Sequence, residues 1–234
     1  MTRDSGSSGW SGTTQSGPTP SGRWSAGPPV PTGLIEVLAE SRARGLLGPG
    51  DAAEHVVHAR GFATALTPGA RVLDMGSGGG IPGLPLALGR PDLSVTLLDS
   101  AARRTRFLEW GVERLGVSER VAVVHARAEE AAASGELRGS FDFVVARLFG
   151  PPAVTAECAR PFLTENGSVL ISEPPPESAV EHDRWPQEGL EQLGLHRSAE
   201  FRSEGNSYVC LMAVGPCPQH FPRRVGVAAK RPLF

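Results

Sequence analysis

A chain of 234 residues, 40% of them hydrophobic, is long enough for one α/β domain with a sizeable core and appendages, and too short for a second full domain. No run approaches the roughly eighteen uninterrupted apolar residues of a membrane span, and no apolar stretch follows the N-terminal charges, so a soluble, cytoplasmic protein without a membrane partner is expected. The formal charge of −2 hides an uneven distribution: no Asp or Glu follows Glu204, whereas Arg223, Arg224, Lys230 and Arg231 crowd the end, where they can meet phosphate.

Residues 1–32 are dominated by Ser, Gly, Thr and Pro and read as a disordered tail. An N-terminal helical extension follows over residues 33–68. Its first helix carries Leu34, Ile35, Val37 and Leu38, and its second starts at Asp51 as cap and presents Val56, Val57, Phe62 and Leu66. Over residues 69–215 short apolar strands alternate with helical stretches, the pattern of a parallel sheet with crossover helices. Strands are expected at residues 71–75, 94–98, 120–124, 141–146 and 168–172. The clearest helix covers residues 101–115, with Ser100 as cap. Two last apolar runs flank Gly205-Asn206, which suits a hairpin turn. A basic tail over residues 216–234 ends the chain.

The chemistry concentrates after the first strand. Asp74-Met75-Gly76-Ser77-Gly78-Gly79-Gly80-Ile81 joins a buried strand to a helix beginning near Pro82, and its glycines let backbone approach a ligand where a Cβ would collide. Gly78 to Gly83 satisfies GxGxxG, so a dinucleotide enzyme has to be weighed. Asp74 argues for S-adenosylmethionine (SAM) instead. An acid before the glycines can face the cationic methionyl part of that cofactor, but would repel a pyrophosphate. Asp99 closes the second strand and can accept hydrogen bonds from ribose hydroxyls. After the third strand, Ala128 and Glu129 lie at the same sheet edge, within reach of adenine or simply opening a helix. Arg147 follows the fourth strand and points into the cleft where a methyl acceptor must lie. Arg103, Arg104 and Arg106 either steer a nucleic acid or solvate a helix face. His55 and His58 share a helical face but lack a third ligand, so no metal is expected, and Cys158, Cys210 and Cys217 read as free thiols.

Several segments together resemble the bacterial 16S ribosomal RNA guanine-N7 methyltransferases, the glucose-inhibited division protein B family. They are Gly45-Leu46-Leu47-Gly48-Pro49, Val72 to Pro85, Arg90-Pro91-Asp92, Leu97 to Leu108, Arg127 to Glu130, Ala146-Arg147, and the closing Phe221-Pro222-Arg223-Arg224 with Lys230-Arg231-Pro232-Leu233. The resemblance spans roughly residues 40–234. It implies a class I SAM-dependent methyltransferase fold, Rossmann-like, with a mostly parallel seven-stranded sheet and an antiparallel last strand. It further implies SAM contacts from Gly76, Ile81, Ala128, Glu129 and Arg147, ribose contact from Asp99, S-adenosylhomocysteine as product, and guanine N7 in 16S ribosomal RNA or the small subunit as acceptor. RNA contacts are expected from Arg103, Arg104, Arg223, Arg224, Lys230 and Arg231. The chain departs from the family where Glu54 to Arg60 replaces an aromatic and an Arg-His pair, and where Glu173-Pro174-Pro175-Pro176 replaces Lys-Gly. An anion at Glu173 is expected to weaken contact with RNA phosphate. A methyltransferase for a small molecule or another RNA, and a non-catalytic ribosome-associated SAM-binding protein, are the alternatives.

Overall fold

The computed structural model describes residues 31–174 and 183–234; the Ser/Gly/Pro-rich segment lies outside them up to residue 30, as do Pro175 and Pro176. Helix α1 (Thr32–Ala43) and helix α2 (Ala52–Ala63) precede the sheet. Asp51 caps α2 as expected, in a full capping box with Glu54. The sheet then builds from β1 (Arg71–Met75), α3 (Gly83–Gly89), β2 (Ser94–Asp99), α4 (Ala102–Arg114), β3 (Val121–His125), α5 (Ala128–Ala133), β4 (Phe141–Ala146), α6 (Pro152–Ala159) and β5 (Leu163–Glu173). Next come α7 (Gln187–Gln192), β6 (Leu195–Ser203), β7 (Asn206–Ala213) and a short α8 (Val227–Lys230).

The seven strands run in the order β3-β2-β1-β4-β5-β7-β6, parallel from β3 to β5, with β7 antiparallel to both its neighbours. The order reverses beside β1, so the carboxyl ends of β1 and β4 flank the crevice where open α/β sheets receive ligands. The hairpin from β6 to β7 turns one residue earlier than expected, because Glu204 and Gly205 both take positive φ, as the tight two-residue turns that match strand twist require. Ser100 does not cap α4. The cap is Ala101, whose amide donates to the Asp99 carboxylate at 2.9 Å.

Both faces of the sheet are covered. Val72, Val95, Leu97, Val121 and Val145 pack beneath α1 to α4, while Leu73, Met75, Leu98, Val144 and Ala146 pack beneath α5 to α8. The two-residue period of a strand decides these sides. Asp74 therefore shares the face of Val72, toward α3, and is fully buried there. Its placement sets up everything at the sheet edge.

The C-terminal segment does not trail into solvent. Phe221 and Ala228 are buried, and Arg138 donates to the Phe221 carbonyl at 2.7 Å. Arg223 forks onto Glu157 of α6, with Nε to Oε1 at 2.8 Å and Nη2 to Oε2 at 2.5 Å. Glu157 is 1% exposed, so this pair holds the segment against α6, and Arg223, expected to meet RNA phosphate, is engaged with Glu157 here. Replacing Arg223 with Ala strands a buried carboxylate and is expected to cost about 3 kcal/mol in urea denaturation. An unchanged midpoint would contradict this role.

Candidate functional site

Two clefts open at the carboxyl edge of the sheet and share one wall. The first, about 260 Å³, is lined by Gly76, Asp99, Arg104, Ala128, Glu129 and Phe149 among others. The second, about 500 Å³, is lined by His58, Arg147, Glu173, Arg184, Trp185 and Asn206 among others. Leu148 and Phe149 line both. Leu148 has φ +54° and is 88% exposed, so the backbone spends about 1 kcal/mol or more holding an apolar side chain out between the clefts.

The turn after β1 is built on Asp74. One of its carboxylate oxygens, Oδ2, accepts the Gly83 amide at 2.9 Å, while Oδ1 is buried without a hydrogen-bond partner. Gly83 has to be glycine for this approach, since a Cβ there would lie 2.6 Å from Oδ2. Burial pushes the Asp74 carboxyl up to about 7, against the opposing effect of its hydrogen bonds. Gly76 takes φ +79° and presents bare backbone to the cleft; a Cβ there would meet the Phe149 ring at 2.7 Å.

Asp99 is nearly buried at the tip of β2. It accepts the Gly78 amide on Oδ2 and the Ala101 amide on Oδ1, both at 2.9 Å, with Arg104 Nη1 3.5 Å away. These bonds fix the carboxylate's orientation and leave an acceptor site on Oδ1. Glu129 is also nearly buried, and its Oε1 accepts the Gly226 amide at 3.1 Å, which brings the C-terminal segment to the cleft wall. Burial pushes Glu129 up, but its own amide, the Gly226 amide and Arg127 outweigh that and leave it below the usual range.

Arg147 sits in the second cleft and not in the first. Its Nη2 lies 3.3 Å from His55 Nδ1. Burial, with Arg147 nearby, depresses His58 to about 4 and lowers His55 as well, so both rings are neutral at physiological pH. The two histidines, set aside on sequence for want of a third ligand, thus flank the cation of the second cleft. Helical spacing alone put them on one face, but only the fold supplied Arg147. Cys158 lines the first cleft, yet burial pushes its thiol up to about 12, so it offers no thiolate there.

The placement of the remaining expected residues is mixed. Gly76, Asp99, Ala128 and Glu129 line the first cleft together. Asp74, Ser77, Gly78, Gly80 and Ile81 do not. Ser77 donates to the Asp74 carbonyl, Gly78 to Asp99, Gly80 packs under Leu84, and Ile81 belongs to the core. They shape the turn from behind, because the pleat of β1 points its acid inward. Arg104 faces Asp99 at the cleft mouth, and Arg103 donates to the Arg44 carbonyl. Arg224, Lys230 and Arg231 are exposed on the segment whose Gly226 and Ala229 line the first cleft. Phe149, Arg184 and Trp185 had no sequence signal beyond their place after a strand or in a loop.

The first cleft has features that suit SAM. An aimed acid at Asp99 suits a ribose hydroxyl, and bare backbone at Gly76 admits close approach.

The comparisons agree with this geometry. Residues 52–193 match the family described as rRNA small subunit methyltransferase G. Proteins named ribosomal RNA small subunit methyltransferase G are similar to this chain. That of Prochlorococcus marinus (strain NATL1A) is 32% identical over 169 residues, covering 70% of this chain and 67% of its own. That of Desulforamulus reducens is 33% identical over 170 residues, covering 70% of each chain. Among solved structures, an O-methyltransferase from Bacillus cereus in complex with SAH superposes with TM-score 0.58 at 16% identity, over 79% of this chain and 92% of that one. A SAM-dependent methyltransferase from Aquifex aeolicus superposes with TM-score 0.55 at 16% identity, over 76% of this chain and 98% of that one. The fold is that of the class I SAM-dependent methyltransferases, and the chain belongs to the rRNA small subunit methyltransferase G family.

Proposed function

We propose that the protein methylates N7 of a guanine in 16S ribosomal RNA of the small subunit, in the cytoplasm, with SAM as methyl donor. The observation that carries this reading is the pair of clefts meeting at Leu148 and Phe149, one built for a nucleoside and the other headed by Arg147. Family membership supports the ribosomal substrate.

When bound, SAM supplies an electrophilic methyl group. Asp99 would hold its ribose, Ala128 and Glu129 its adenine, Gly76 its methionyl backbone, and the Asp74 charge its cationic end. The chain's own task is then to place an acceptor. Guanine N7 bears a lone pair and no proton at neutral pH, so positioning suffices and no general base is needed. The second cleft suits that economy. Its His58 is neutral, held at about 4 rather than poised near 7, and its fixed cation is Arg147, a directional donor for a base oxygen or phosphate.

The anticipated repulsion from Glu173 is also offset. Arg184 Nε donates to its Oε2 at 2.8 Å and Trp185 Nε1 to its Oε1 at 3.1 Å. Arg224, Lys230 and Arg231, exposed beside the first cleft, add positive charge for RNA phosphates.

Deleting the gene should remove one 7-methylguanosine from 16S RNA, seen by mass spectrometry of nucleosides. Wild type should restore it, while Arg147→Ala should not, despite binding SAM within a few-fold of normal. An unchanged nucleoside profile on deletion would refute the assignment. Neutralising Arg224, Lys230 and Arg231 together to Gln should weaken subunit binding and lower the slope of log K against log salt by about 2 to 3. An unaltered slope would remove these residues from the RNA interface.

A further inference from the structure

We infer that Glu173 reads the Watson–Crick edge of the acceptor guanine and is the base-specificity determinant of the second cleft. The inference rests on the reading of guanine as acceptor and says how it is told from the other bases.

The observations concern position, rigidity and residual valence. Glu173 ends β5 and lines the second cleft together with Leu148 and Phe149. Its side chain is only 17% exposed and is clamped at both oxygens, by Arg184 Nε on Oε2 and Trp185 Nε1 on Oε1. Trp185 is itself buried. Each carboxylate oxygen can accept two hydrogen bonds, so the clamp uses one site on each and leaves one on each. A fixed carboxylate with two adjacent vacant acceptor sites is complementary to two adjacent N–H donors. Among the four RNA bases only guanine offers that pair, its N1–H and 2-amino group. Adenine sets one amino donor beside one acceptor, cytosine one amino donor beside two acceptors, and uracil flanks one donor with two acceptors.

The sheet geometry agrees. Gly76, beside the first cleft, follows β1, and Glu173 closes β5, with β4 and Arg147 between. Two strand spacings span about 10 Å. A purine laid across β4 with its N1 and 2-amino edge on Glu173 turns its five-membered ring, and therefore N7, toward the first cleft. Arg147 then lies beside its O6 and phosphate side. Arg184 keeps the cleft from being net anionic, so the carboxylate can sit beside an RNA strand.

The test uses full-length protein and 16S RNA prepared by splinted ligation, with guanosine or inosine at the position that the wild type methylates. Inosine keeps N7 and N1–H but lacks the 2-amino group. For wild type, kcat/KM should fall about tenfold or more on inosine. Glu173→Gln should lose about tenfold on guanosine and treat the two RNAs within about twofold of each other, with unchanged SAM affinity and melting temperature. Wild type that methylates both RNAs equally overturns the inference, as does a Glu173→Gln variant that keeps the wild-type preference. A variant that melts earlier and slows on both RNAs in the wild-type ratio overturns it too, by showing Glu173 to be only an anchor for Arg184 and Trp185. Absence of any 7-methylated product from wild type on guanosine RNA would overturn the acceptor assignment as well.

Discussion

Everything at the sheet edge depends on one buried carboxylate. Strand parity in β1 sends Asp74 inward beneath α3, where full burial penalises its charge unless donors reach it. The Gly83 amide supplies one donor, which holds the start of α3 against β1 and forces the intervening residues into a tight loop. The loop's own amides then go outward, Gly78 to Asp99, and its first glycine is left as bare backbone on the cleft. Half of the carboxylate remains uncompensated. A protein that keeps such a group has a use for negative potential just behind a ligand site.

A second constraint comes from the other end of the chain. Arg223 on Glu157 and the Gly226 amide on Glu129 fold the last residues over α6 and along the first cleft. The first cleft is therefore completed by Gly226, 97 positions from Glu129 in sequence, and the basic residues of that segment come to rest beside it. The second cleft is assembled differently, from the tips of β4 and β5, from α2 and from the hairpin before β7. It holds Arg147, the neutral imidazole of His58 and the carboxylate of Glu173 clamped by Arg184. On the proposed function such groups would orient a base without needing to remove a proton from it.

Much of this was legible in the sequence, for reasons that are local. Continuous apolar runs separated by turn residues gave the parallel strands, and an acid closing β2 gave Asp99 and an acid just past β3 gave Glu129, because the end of a strand is a position that sequence fixes. Arg147 was legible for the same reason. What could not be read depended on contacts between distant segments. Asp74 was expected to face the ligand, but the pleat turns it inward. The terminal Arg223 looked like a phosphate contact until Glu157, buried 66 residues upstream, claimed it. His55 and His58 looked unremarkable because their partner Arg147 lies in another element. Glu173 looked like an obstacle to RNA because nothing local announces that Arg184 and Trp185 return to hold it.

The buried charge of Asp74, set behind the glycine turn, would answer the cationic end of the cofactor. With a carboxyl near 7 in the free protein, Asp74 is largely protonated at pH 6, and a cation brought beside it favours the ionised form and expels that proton. Affinity for SAM should accordingly fall as pH drops through about 7. The direct measurement is calorimetry of SAM binding at pH 6 in buffers of different ionisation enthalpy, for wild type and Asp74→Asn. Wild type should release a substantial fraction of one proton at pH 6 and none at pH 9, and Asp74→Asn should release none and bind more weakly. Binding enthalpies independent of buffer in the wild type, or the same proton release from Asp74→Asn, would contradict it.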